Sequence, residues 1–373
     1  MAESQTGAVY ELWDVGTPFP DHTTMEDVPT MTHVSIERGE KGGYHYLHES
    51  SPAWHNGSLY VCWANHRVFE INTKDELIRY KKSDDGGFSW SEAKTWAEAP
   101  LGGSESYNHP VVTSEFGKLW GFFTRWDSEQ PSTEIFSLDV SDRMVSTGVS
   151  IPSFVPFRAP EKMSDGNWIL GGESTWFEAA VAISDGDDFT SWHVHVIPRP
   201  EPIVLKFPET TLMMLPDRIV AICRPNGTDY ALVATSRDCG KSWTELQHSN
   251  VALHASQTYC GKLSSGQYFL ISNSPAPDRR SLLSIAVTEP GAERFSRVWK
   301  IRHQAYPLIR LFGGFAGDGR TPESRVGHTT EWSYPGVIEH DRKLFISYTQ
   351  GKEDCNLSII PIDALRVRAC WRT

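Results

Sequence analysis

Apolar positions along the chain fall in short runs, and the runs come in pairs. Each pair is an apolar stretch, a turn rich in Gly, Asp or Asn, and a second apolar stretch. The pairs are SPAWHNGSLYVCWAN (51–65), HPVVTSEFGKLWGFFTR (109–125), FRAPEKMSDGNWILGGE (157–173), FPETTLMMLPDRIVAICR (207–224), ASQTYCGKLSSGQYFLISN (255–273) and YPGVIEHDRKLFISYTQ (334–350). Runs of this length bounded by turn formers read as strands joined by hairpins. The first five pairs begin about 50 residues apart, the length of one four-stranded antiparallel unit. No stretch sustains a 3.6-residue apolar period, so the chain is predicted to be all-β. Six units are clear. Residues 1–43 and 304–332 could supply a seventh, or close a ring by pairing the termini. No Pro/Gly/Ser-rich linker interrupts the series, so residues 1–373 read as one domain.

Within this repeat lies a second one. SDDGGFSW (83–90) and SRDCGKSW (236–243) share Ser-x-Asp-x-Gly-x-x-Trp, carried by Ser83, Asp85, Gly87 and Trp90 and by Ser236, Asp238, Gly240 and Trp243. SDGDDFTSW (184–192) is a degenerate version with one extra residue. An Asp side chain can accept N–H bonds from its own turn, Gly permits φ > 0, and Trp can staple the turn to the sheet. A metal loop or acid/base pair could also use adjacent carboxylates, but recurrence at turn spacing assigns these aspartates to architecture. The pattern resembles the Asp-box of the sialidase-like β-propellers. That resemblance implies a propeller, and many activities share the architecture.

Composition narrows the partners. With 47 acidic and 35 basic residues the net charge is −12, which disfavours nucleic acid because phosphate binding depends on Lys and Arg. An acidic polysaccharide or oligosaccharide remains compatible if cations gather in one pocket. No apolar run reaches about 18 residues, so no membrane span is expected. The six cysteines show neither CxxC nor Cys/His metal spacing, and permit disulfides without demanding them. Sequons at Asn56, Asn226 and Asn356 fit exposed turns of a secreted protein. MAESQTGAVY has neither the basic start nor the apolar core of a signal peptide. A secreted mature form written with a starter Met is expected, with a cytoplasmic protein as the alternative. A monomer is expected. No cofactor is required by the sequence; a bound divalent cation is compatible with it, its ligands unassigned.

Ligands of a propeller gather where the innermost strands converge, so polar residues at strand ends are the candidates. GGYHYLHE and WANH supply Tyr44, His48, Glu49, Asn65 and His66; SYNHP and FFTRW supply Tyr107, Asn108, His109 and Arg125. Later units supply Arg158, Glu209, Arg224, Asn273, Arg279 and Tyr334. Several arginines at equivalent strand ends would repel one another unless they bind acids, which points to an anionic ligand. The competing reading pairs each with a nearby carboxylate, Arg224 with Glu209 for example. Pro110 biases His109 towards an extended backbone, projecting it from a strand end.

GYHYLHE, SYNHP, FFTRW and YPGVIEHDRKLFISYTQGKED resemble elements of the propeller polysaccharide lyases, most of all the fungal L-rhamnose-α-1,4-D-glucuronate lyases acting on gum arabic and arabinogalactan side chains. The resemblance implies seven blades, with six as the alternative, and removal of a terminal L-rhamnose from O4 of glucuronate by β-elimination. Arginine would neutralise the uronate carboxylate so that the C5 proton becomes acidic, and histidine suits the proton transfers. His109 is the expected proton-transfer residue, His48 its partner, and Arg125 the third catalytic group. Tyr44, Asn65, Tyr107, Arg158, Glu209, Arg224, Arg279 and Tyr334 are the expected substrate-binding residues. The rivals are a glycoside hydrolase of rhamnosidase or sialidase type and a sugar-binding lectin. A sialidase would need three arginines, a Tyr/Glu nucleophile pair and an Asp acid, and the chain lacks the usual Arg-Ile-Pro before the first box. A hydrolase should bring paired carboxylates to the axis. A lectin should repeat its polar strand ends, and these differ from unit to unit.

Overall fold

The computed structural model describes residues 9–40, 43–67, 76–100, 103–127, 130–175, 177–274, 280–304 and 331–367. Strand β1 (Thr32–Glu37) stands apart in sequence from the sheet it joins. Blade one is β2 (Tyr46–His55), β3 (Ser58–His66), β4 (Leu77–Ser83) and β5 (Lys94–Ala97). Blade two is β6 (Ser106–Glu115), β7 (Lys118–Trp126), β8 (Pro131–Leu138) and β9 (Met144–Pro152). In blade three the inner strand is broken into β10 (Phe154–Pro156) and β11 (Glu161–Lys162), both paired with β12 (Trp168–Ser174), followed by β13 (Glu178–Ser184) and β14 (Trp192–Val196). Blade four is β15 (Thr211–Met214), β16 (Ile219–Cys223), β17 (Thr228–Ser236) and β18 (Gln247–His254). Blade five is β19 (Tyr259–Lys262), β20 (Tyr268–Ser272), β21 (Leu282–Thr288) and β22 (Phe295–His303). Blade six is β23 (Trp332–His340), β24 (Lys343–Gln350) and β25 (Asp354–Pro361), completed by β1.

Six blades, not seven, therefore form among the described residues, as the alternative count has it. The physical reason lies in the N-terminal segment. Instead of founding a sheet, β1 pairs antiparallel with β25, placing Thr32 opposite Ile359 and Val34 opposite Leu357. Before it, Leu12, Trp13 and Met25 fill the seam between blades four and five. Most of 304–332, the other expected source of a seventh blade, lies outside the described residues.

The core consists of apolar seams between successive blades. Alternation along each strand turns one set of side chains to each neighbouring sheet. Trp63 and Leu357 thus meet between blades six and one, and Phe122 and Trp168 between two and three. Fully buried aromatics such as Trp63 and Phe122 each contribute roughly 1.5–3 kcal/mol. The seam of Ile36, Leu47 and Phe345 closes the ring.

The Asp-boxes bind their own turns and wedge against the next sheet. Ser83 Oγ donates to Asp85 Oδ1 at 2.8 Å, and Asp85 accepts the N–H groups of Phe88 and Ser89 at 3.0 and 2.9 Å. Asp238 repeats the pattern with Ser236 and Ser242. Gly87 has φ +93, and a Cβ there would lie 2.6 Å from Leu357 of blade six. The sequons divide. Asn56 and Asn226 are exposed in turns, whereas Asn356 stands within β25, followed by buried Leu357 and Ser358, which corrects the expectation of an exposed turn. Cys62, Cys223, Cys239, Cys260 and Cys355 are free thiols, and Cys370 lies outside the described residues.

Candidate active site at the propeller axis

Inner strands of four blades deliver a polar residue in the same unusual backbone conformation. Glu49 in blade one has φ +59, His109 in blade two +43, Glu209 before β15 in blade four +42 and Tyr334 in blade six +57. Register shifts mark bulges at three of these places, between His48 and Ser51, Asn108 and Val111, and Ser333 and Gly336. A bulge re-aims one side chain, and strain in non-glycine residues gathers at functional sites. The left-handed His109 departs from the extended form that Pro110 favours. Its N–H is taken by Glu49 Oε2 at 2.8 Å, a charge-assisted bond that rewards the bulge.

The four residues meet across the ring. His109 Nε2 lies 3.0 Å from Glu49 Oε1, and His109 Nδ1 lies 2.8 Å from Asn108 Oδ1. Both ring nitrogens thus face acceptors, the arrangement of an imidazolium. Burial alone would lower its pKa, but the charge and hydrogen bond of Glu49, with Glu173 and Glu76 beyond, raise it to about 9. Opposite, the Tyr334 hydroxyl donates to Glu209 Oε1, which also accepts from Arg224 Nη1 at 2.6 Å. Arg224 Nη1 lies 3.2 Å from the Tyr334 hydroxyl, and the His48 ring packs 4.0 Å from the Tyr334 ring. The Arg280 guanidinium lies over that same ring at 5.3 Å.

Glu173, at the end of β12, joins the two halves. Its Oε2 accepts the Glu209 N–H at 3.4 Å. Burial and the neighbouring Glu209 carboxylate push its pKa up to about 8, against the opposing pull of His109 and Arg224, so it is a neutral acid at pH 7. Glu209 Oε2 is buried with no hydrogen-bond partner among the described residues. Three carboxyl groups, two arginines, two histidines and a tyrosine therefore share the axis.

The sequence-derived candidates separate accordingly. His48, His109, Glu209, Arg224 and Tyr334 come together. Arg125 does not: it pairs with Glu105 and Glu134, and Tyr107 donates to Glu134 at 2.8 Å. Arg158 is buried against Glu161 and the Leu212 carbonyl. Asn65 donates to the Tyr46 carbonyl, and Tyr44 lies under Arg67 and Arg79. Arg279 lies outside the described residues. Arg125, Arg158 and Arg224 each have a carboxylate partner, so repulsion among strand-end arginines is no argument for an anion. Glu173 and Arg280 were absent from the sequence candidates. Arg280 was visible only as part of a cationic dipeptide, with no local signal that its side chain lies over Tyr334; GGES at the end of β12 carried no signal.

The model of the BNR repeat-like domain family matches residues 57–346. The chain belongs to that family. Among solved structures, a protein of unknown function from Dyadobacter fermentans is 15% identical with a TM-score of 0.65, covering 89% of this chain and 99% of that one. A Hadza microbial sialidase is 13% identical with a TM-score of 0.66, covering 89% of this chain and 69% of the other. The Trypanosoma rangeli sialidase in complex with sialic acid is 14% identical with a TM-score of 0.64, covering 92% of this chain and 60% of its own. At these identities the likeness is one of fold, a sialidase-like propeller. A comparison with curated proteins returned no match.

Proposed function

We propose that this BNR-repeat propeller is a glycoside hydrolase that removes a terminal acidic sugar, with Tyr334 as nucleophile. The observation that carries the reading is the Tyr334 hydroxyl donating to Glu209 while Arg224 clamps the same carboxylate oxygen. Glu209 is placed to take the phenol proton as Tyr334 Oη attacks the anomeric carbon. Glu173, neutral at pH 7, is the axial group able to protonate the departing oxygen. Water then releases the sugar from the tyrosyl intermediate. Arg224 and Arg280 flank Tyr334 and supply positive charge for a sugar carboxylate. A neutral nucleophile suits an anionic substrate, because a bare carboxylate in its place would be repelled. The paired carboxylates expected of a hydrolase, which the sequence did not reveal, are Glu173 and Glu209.

A specific observation favours one alternative. His48 packs against Tyr334 at 4.0 Å, and a Tyr/His pair could instead remove a proton beside a carboxylate and eliminate a 4-linked sugar, the glucuronate lyase chemistry. In that reading His109, held as an imidazolium, positions Glu49 and transfers no proton.

The test is incubation with 3′-sialyllactose and, separately, with a rhamnose-capped glucuronate oligosaccharide from gum arabic. Hydrolysis of 3′-sialyllactose releases a saturated terminal acid whose first-formed anomer retains configuration by proton NMR. Growth of near-ultraviolet absorbance from a 4,5-unsaturated uronate would overturn the hydrolase in favour of the lyase. Binding of either glycan without turnover would leave a lectin.

A further inference from the structure

Beside the axis stands a pair of aromatic rings that the proposed chemistry does not use. Phe177 lies in the hairpin between β12 and β13, and Phe207 lies two residues before Glu209. Their ring centroids are 4.6 Å apart at an interplanar angle of 76°. Both hold left-handed backbone, φ +62 at Phe177 and +55 at Phe207. For a bulky residue that conformation is strained. Core burial does not offset it at Phe177, which is 40% exposed. Phe207 is tied to the site: the Arg224 guanidinium lies 5.6 Å from its ring, and Lys206 Nζ 5.7 Å.

We infer that Phe177, buttressed by Phe207, is the platform on which the second sugar of the substrate stacks. This rests on the reading of the axis as the site of a terminal acidic sugar. The hairpin after β12 begins next to Glu173, the group assigned to the departing oxygen, so the sugar carrying that oxygen leaves the axis on this side. The C–H face of a neutral hexopyranose is apolar and weakly positive, and an aromatic face is its complement. Phe207 has cations against its ring, so the exposed ring of Phe177 is the one that meets sugar. The occupant is thus a neutral hexose, and the platform selects for it while Arg224 and Arg280 select for the acid.

The experiment compares 3′-sialyllactose with the methyl glycoside of the same acid, which lacks the second sugar. Phe177→Ala is expected to raise KM for the trisaccharide about 10-fold, leaving kcat and the methyl glycoside within twofold, and Phe177→Tyr is expected to restore KM. An equal effect on both substrates, or on neither, overturns the platform. If the wild-type protein turns over neither, the hydrolase reading has failed and the platform is tested by binding. Saturation-transfer NMR with lactose on Tyr334→Phe protein should show hexose ring protons close to the protein, and the signal should vanish in Tyr334→Phe/Phe177→Ala. An absent signal, or one that survives the second substitution, overturns the platform independently of catalysis.

Discussion

At one end of the strands Asp85 and Asp238 take their partners from within four residues, whereas at the other Tyr334 reaches Glu209 across 125 positions and His109 reaches Glu49 across 60. Both ends use carboxylates and hydroxyls in hydrogen bonds of similar length. The difference is what closes the network. The Asp-box needs only its own turn, so it forms wherever the eight residues occur and can repeat. The axis needs blades one, two, four and six assembled, with four residues held at positive φ by the neighbours they contact. Local networks secure the sheet; the long-range one exists only after the ring has closed.

The largest effect should fall on the long-range end. Tyr334→Phe removes one oxygen and is expected to lower kcat about 10³-fold or more, with the thermal midpoint within a few degrees of wild type. Glu209→Gln should lose a comparable factor, because the amide cannot accept the phenol proton. Steady-state rates on the substrate identified above, set beside a melting curve, check both. A Tyr334→Phe protein that keeps its kcat would move the chemistry elsewhere on the axis.

Next in size is a stability effect with a defined pH sign. Folding raises the pKa of Glu173 to about 8 and of His109 to about 9, so in both windows the folded state binds more protons than the unfolded. Stability must then fall as pH rises, from about 4.5 to 8 through Glu173 and from about 6.5 to 9 through His109. Glu173→Gln should flatten the first window and leave the second. Glu49→Gln should remove much of the second, and it should cost on the order of 3 kcal/mol near pH 7 because a buried imidazolium loses its counter-charge. Denaturant melts at several pH values read both variants; an unchanged slope in Glu173→Gln would remove Glu173 as the neutral acid.

The contrast also explains what could be read in advance. The all-β blades, their hairpins and the Asp-boxes are encoded by residues a few positions apart, and all were legible. Blade number was not, because it turned on whether residues 32–37 began a new sheet or completed an old one, a choice made by β25. The site was half legible. His109, His48, Glu209, Arg224 and Tyr334 sit at strand ends, where period and turn place them. Arg125 occupies an equivalent strand end but turns outward to Glu105 and Glu134. Glu173 lies at the end of the second strand of its blade and Arg280 in the connection before the third, and no local pattern marks either as reaching the axis.

The smallest expected effect is the sharpest test of the boundary between the ends. Asp238→Ala removes an acceptor of two bonds from Ser242 and one from Ser236, in a turn whose backbone is already fixed by Gly240. The hydrogen bonds of Ser242, then that of Ser236, hold the Asp238 carboxyl down to about 2. Stability gained this way is complete above the ordinary carboxylate value and is lost as pH falls through about 2. The side chain is largely exposed, so solvent screening limits its worth to roughly 1 kcal/mol at neutral pH. Asp238→Ala should therefore melt a few degrees lower at pH 7, with the gap closing towards pH 2, while kcat and KM stay within twofold. An inactive but stable Asp238→Ala protein would mean that the two ends are coupled through β17 and β16 to Arg224, and the division drawn between them would have to be abandoned.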